Sequence, residues 1–313
     1  MKTNRSHFSR QLIALAGALA IASLTEIGAY GADSQEVFKT PQEAATALAE
    51  AAKTNDAKSA MQILGPDGRA VIASGDAVAD KDAAQNFARS YAQMHRLAFG
   101  ENGQVILYLG AENWPFPIPI VEKNGGWIFD TAKGEKELLY RRIGSNELFT
   151  IATLRELAAA ENEYKASNSD HQFARRLMSS SGTHDGLYWP VAAGQAPSPI
   201  GPLVASAAQE GYPTGANGPS PFHGYFYKIL TGQGANAPGG QKNYLAEGKL
   251  TGGFAILAYP ASYRSSGVMT FVVNQDGFVV QKDLGSDTDK MAAAMSSYNP
   301  DKSWAEVKEY ANQ

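Results

Sequence analysis

The sequence predicts an α+β fold: N-terminal helices with a small antiparallel sheet, then a long helix packed on a C-terminal antiparallel sheet. Apolar residues recur at helical spacing through the first part of the chain and again over residues 146–166. Short β-rich runs joined by Asn- and Gly-containing turns follow each helical stretch. Helical blocks followed by hairpins are the order of an α+β unit.

The chain opens on a segment that reads as an export leader. Lys2, Arg5 and Arg10 make a basic start, residues 12–24 an apolar run, and Ala29-Tyr30-Gly31 a small-residue cleavage site. The apolar run is shorter than the ~20 residues that a membrane helix needs. With no Cys there is no acylation site, no disulfide, no thiolate nucleophile and no zinc–thiolate or iron–sulfur centre. Removing residues 1–31 leaves 282 residues carrying 24 Lys+Arg against 30 Asp+Glu. That mildly acidic balance, without a basic cluster, argues against nucleic acid or anionic lipid as a partner. The expected product is soluble and periplasmic or secreted, with no membrane span after cleavage.

Thr40-Pro41-Gln42-Glu43 starts the first helix, with a capping Thr, Pro at the first position and Glu three residues on. A second helix spans 57–64, stopped by Gly65-Pro66, and a third runs from Asp80 to about Ala98. Residues 104–109 form a strand. Residues 114–121 carry proline at 115, 117 and 119, which suits an edge strand, a polyproline stretch or a rigid docking strip but not a central strand. Asn124-Gly125-Gly126 turns the chain into a strand over 127–130. A charged helix over 133–143 ends at Gly144, which sets the expected domain boundary: residues 32–143, then residues 144–313. The long helix over 146–166 carries a stripe of Leu148, Ile151, Leu154, Leu157 and Tyr164. Residues 179–221 are dense in Gly, Pro and Ser and read as loops. Strands are expected over 224–230, 253–259, 268–273 and 278–281, the last two joined through Asn274-Gln275-Asp276-Gly277, with a flexible insertion over 232–241. A helical tail would put Met291, Met295 and Tyr298 on one face.

The runs Glu112-Asn113-Trp114-Pro115-Phe116-Pro117-Ile118-Pro119, Trp127-Ile128-Phe129-Asp130-Thr131 and Arg141-Arg142-Ile143-Gly144-Ser145-Asn146-Glu147-Leu148 together resemble domain-of-unknown-function family 2950. The resemblance covers essentially the whole mature chain. It implies an exported bacterial protein and transfers no catalytic residue. In the second half, Asn146-Glu147 opening a helix, Tyr164 along it, Gly224-Tyr225-Phe226-Tyr227 and residues 267–277 are similar to the globular domains of pilin-like proteins. That implies a helix on an antiparallel sheet, without the processed N-terminal assembly helix of a filament subunit. The order of elements in the first half is similar to NTF2-like or cystatin-like domains.

Motifs for chemistry are sparse. There is no G-x-S-x-G elbow, no H-x-x-x-H pair, no calcium loop and no phosphate-cradling glycine loop, so no cofactor or metal is implied. Ser179 to Asp185 holds Ser, His and Asp, with His184 and Asp185 the first suspects for a hydrolase assembled from distant residues. Asp170-His171 could meet His184-Asp185 around a metal. Glu161 and Glu163 lie two apart on a helix and point to different faces, a poor pair for glycoside hydrolysis. The remaining lead is aromatic: Tyr188, Trp189, Tyr212, Tyr225, Tyr227 and Trp114 could stack on a sugar or grip a peptide, or fill the space between helix and sheet. The sequence therefore favours a non-catalytic binding or assembly component of the bacterial envelope, with an envelope protein or a glycan as partner. An envelope hydrolase and a pilin-like secretion subunit are the alternatives.

Overall fold

A computed structural model describes residues 35–214 and 219–308; the leader expected over residues 1–31 lies outside the described residues. The first part is helical: α1 (Pro41–Lys53), α2 (Ala57–Leu64), α3 (Gly68–Ile72) and α4 (Ala77–Gln93). Thr40 caps α1 as its sequence implies, its hydroxyl accepting from the Glu43 N–H at 3.1 Å, while Glu43 reaches back to the Lys39 N–H at 3.0 Å.

Five strands follow: β1 (His95–Phe99), β2 (Val105–Leu109), β3 (Trp114–Pro115), β4 (Ile120–Lys123) and β5 (Gly126–Phe129). They form an antiparallel sheet in the order β1-β2-β4-β5, with β3 also on β2. The helix expected to reach Ala98 stops at Gln93, because residues 95–99 pair with β2. Asn124 and Gly125 both take positive φ (55° and 80°), the geometry that closes a two-residue hairpin between β4 and β5. Along the proline-rich segment Phe116 and Ile118 turn inward and are buried. These two side chains are spent on the core, while Trp114 stays half-buried. α1 and α2 cover the sheet with Ala44, Leu48, Ile63 and Leu64.

One helix of 37 residues, α5 (Thr131–Ser167), spans the whole of what the sequence divides at Gly144. At about 1.5 Å per residue it is roughly 55 Å long. A helix-interior glycine costs only ~1 kcal/mol, and packing at both ends carries the helix through. Gly134 serves a different purpose. A Cβ there would sit 2.3 Å from the Pro117 carbonyl oxygen, so only glycine lets α5 lie against the proline-rich segment.

The second part contains α6 (Gly201–Glu210), β6 (Tyr225–Leu230), β7 (Gly232–Gln233), β8 (Lys242–Asn243), β9 (Leu245–Ala246), β10 (Lys249–Leu250), β11 (Ala255–Pro260), β12 (Met269–Asn274), β13 (Val279–Asp283), α7 (Thr288–Ala294), β14 (Ser297–Tyr298) and β15 (Ala305–Glu306). The main sheet is antiparallel in the order β15-β13-β12-β11-β6, and α5 packs on it through Leu154, Leu157 and Tyr164. Leu148, expected in that stripe, is exposed. The insertion expected to be flexible is tied down. β7 pairs with β14 and β8, and the buried Gln233 donates to the Pro238 carbonyl and accepts from the Tyr244 hydroxyl at 2.7 Å. The expected helical tail ends at Ala294, and Tyr298 leaves it to pair in β14 and bury.

Candidate functional site

The six sequence-nominated aromatics lie in three places. Tyr225 and Tyr227 face α5. Tyr225 is fully buried and its hydroxyl donates to the Met269 carbonyl at 3.0 Å. Tyr227 is half-buried beside Thr150, its hydroxyl pushed up to about 12 by burial. Tyr188 and Trp189 pack at the rim of the same core, with Trp189 stacked on the exposed His184 ring at 4.3 Å. Trp114 and Tyr212, nearly 100 residues apart, line one cleft.

The loop holding His184 and Asp185 is organised around itself. Burial works to raise the Asp185 carboxyl, yet bonds from the Ser180 N–H, the Thr183 and Ser180 hydroxyls and the Arg176 charge hold it below the usual range. Asp185 is thus a loop organiser with its acceptors engaged. Among the described residues no group of three or more His, Asp or Glu could hold a metal ion. No helix among them is long and apolar enough to cross a membrane.

The cleft that takes Trp114 and Tyr212 has a volume of about 820 Å³ and lies beneath α4, in the size range of small-molecule sites. None of the residues of α4 is buried, although a helix on a sheet normally sinks one face. Both ends of α4 are pinned, and its middle meets the core through Phe87, which lies edge-on to Phe116 at 5.1 Å. At its C-terminal end the Tyr91 hydroxyl meets the Thr46 hydroxyl at 2.9 Å and accepts from Gln42 at 3.1 Å, holding α4 to α1. At its N-terminal end stands Asp76, which is 1% exposed. One Asp76 oxygen caps α4, accepting from the Val78 and Ala79 N–H groups, both at 3.1 Å. The other accepts from the Tyr212 hydroxyl at 3.0 Å and the Gly224 N–H at 2.8 Å. A buried carboxylate with four donors is satisfied without a counter-ion.

Between the pinned ends, Ala79, Ala83 and Ala84 of α4 and Ala51, Ala52 and Ala60 of α1 and α2 line the cleft. Small side chains at these positions leave room that leucines would close. Leu64, Val71, Phe87, Leu109 and Phe116 complete the apolar walls. Asp80, Arg142, Asn146, Glu210, Tyr212 and His223 supply polar groups. Burial pushes the Asp80 carboxyl above its usual range, opposed by the Ser74 bonds and the Arg142 charge. Burial also lowers the Arg142 guanidinium, opposed by Asp80. Arg142 donates to the Ala70 carbonyl at 3.0 Å and to the Val71 carbonyl. Burial, and then the Asp76 charge, raise the Tyr212 hydroxyl. The His223 imidazole lies 2.8 Å from the Glu210 carboxylate and against the Phe149 ring at 3.7 Å.

Aromaticity nominated Trp114 and Tyr212, but Asp76, Asp80, Arg142, Glu210 and His223 escaped as a group. For Glu210 a signal existed. Pro202 in the first turn and Gly211 (φ 99°) just past the end of α6 are the proline-start, glycine-stop signature of a helix. It was masked by the Gly, Pro and Ser density around it.

A family model described as "Protein of unknown function (DUF2950)" matches residues 35–307, and the chain belongs to that family. No curated protein and no solved structure matches it.

Proposed function

We propose that this DUF2950 protein is an exported, non-catalytic binding component of the bacterial envelope, and that the cleft beneath α4 holds a small, largely apolar molecule. The observation that carries the reading is the way α4 is held: capped, pinned at both ends, alanine-lined and unburied. A packed core would have no use for that arrangement. Export rests on the leader over residues 1–31, and a binding role fits a chain without recognisable nucleophile or metal motifs. The neutral dye Nile red tests the cleft. It should bind the mature protein once, with a rise in fluorescence, and Ala84→Trp should abolish that signal while leaving the circular dichroism spectrum unchanged. Unaltered dye binding by a folded Ala84→Trp protein would remove the cleft as the site.

A further inference from the structure

Arg142 and Asp80 both line the cleft, yet they do not pair. Among the described residues Arg142 makes no ion pair; its partners are the Ala70 and Val71 carbonyls. A guanidinium carries five N–H donors, so donors remain for whatever enters the cleft. The Asp80 oxygens take the Ser74 N–H, at 3.1 and 3.0 Å, and the Ser74 side chain, and a carboxylate with about four lone-pair sites keeps acceptor capacity beyond these. The two groups are close enough for each charge to act on the other, and formally they cancel.

That combination selects for head-group chemistry. A carboxylate head would gain Arg142 but meet Asp80 and Glu210. An ammonium head would gain the acids but meet Arg142. A neutral group presenting an acceptor next to a donor satisfies both at once, and leaves neither half-buried group unpaired. The primary carboxamide, with its carbonyl and syn N–H side by side, is the common group of that kind, whereas a trans secondary amide points the two apart. Resting on the reading of the cleft as a ligand site, we propose that its ligand is a neutral, apolar molecule bearing a primary carboxamide. The amide carbonyl accepts from Arg142 and the amide N–H donates to Asp80. The alanine-lined walls hold the apolar body.

Three probes with one chain and three heads test this: octanamide, octanoate and octylamine, titrated calorimetrically into the mature protein at pH 7. Octanamide should bind at least tenfold more tightly than either ion. In Asp80→Asn the octanamide affinity should fall about fivefold, and octanoate should bind more tightly than it does to the unaltered protein, since a repelling charge has gone. A merely structural Asp80 would not produce that opposite pair of shifts. Octanoate or octylamine as the tightest probe overturns the amide assignment, and that ranking needs no variant. If none of the three binds while Nile red still does, the amide assignment falls and the cleft stands. If Nile red fails as well, the cleft reading itself falls.

Discussion

The two helix-on-sheet regions of this molecule use similar parts to opposite ends. On the C-terminal sheet, α5 sinks Leu154, Leu157 and Tyr164 against a layer in which Tyr225, Tyr244, Phe254 and Phe271 are fully buried. On the N-terminal side, α1 and α2 make a comparable seal over Leu107, Ile118 and Phe129, but α4 buries none of its residues fully and reaches that core only in part, through Phe87 and Tyr91. The difference lies in how each helix is held. α5 is held by its apolar face, so its neighbours must fill the space. α4 is held by hydrogen bonds at its ends, around Asp76 and Tyr91, so its middle can remain lined with alanine and open. Polar end-anchoring lets a small protein keep a cleft without collapsing it.

The largest effect should come from emptying the filled side. Phe271→Ala removes a fully buried ring from a layer already packed, and should cost about 3–5 kcal/mol in urea denaturation. Phe87→Ala removes the same ring from the cleft wall, where one side already faces open space and the main ring partner is Phe116 at 5.1 Å. It should cost only about 1 kcal/mol, because few contacts are lost. Equal costs would mean that the cleft is as closed as the core.

Titration separates the two sides next. Glu161 is fully buried under the C-terminal layer, with one oxygen accepting from the Ala174 N–H at 2.8 Å and the other unpartnered. Burial pushes its carboxyl up to about 8, against an ordinary value of 4.5. Below about pH 4.5 folded and unfolded chains both hold the proton, and the stability is fully present. Between there and about pH 8 the unfolded chain ionises while the folded one does not, so stability falls by about 1.4 kcal/mol per pH unit. Glu161→Gln should abolish that slope. The variant should match the unaltered protein at pH 4 and exceed it by about 2–3 kcal/mol at pH 7 in paired denaturation curves. Identical slopes would show that water reaches Glu161, making that side as open as the cleft around Asp80.

The sequence was most legible where local chemistry decides the structure. The Thr40 cap, the Asn124-Gly125 hairpin and the hairpin ending at Gly277 all follow from a few adjacent residues, whereas Tyr225 and Tyr227, nominated for binding, turned inward against α5. It was least legible where distant packing overrides a local signal. Gly144 reads as a stop, yet α5 runs through it. Tyr298 reads as helical, yet a ladder with β7 draws it into β14. The cleft belongs to this second class. Asp80 and Arg142 look like solvated positions on charged helices, and only the fold turns them toward the same space. Asp76 meets Gly224 across 148 positions of chain, a separation at which spacing carries no information.

The smallest effect is the sharpest test, because it makes one substitution on both sides. Ala258 lies in β11 with 0% exposure, walled in by the sheet and α5, and Ala60 lies in α2 with 8% exposure at the edge of the cleft. Leucine at 258 must force its neighbours off their rotamers and should cost about 1–3 kcal/mol. Leucine at 60 meets open space, gains apolar burial and a helix former no worse than most, and should change stability by less than about 0.5 kcal/mol in either direction. The same variant should weaken Nile red binding, since its side chain takes volume from the ligand. Stability is then spared where binding is lost, a separation expected only if the space beneath α4 is kept for an occupant. Should Ala60→Leu cost as much as Ala258→Leu, the two regions would be packed alike and the cleft would close in solution.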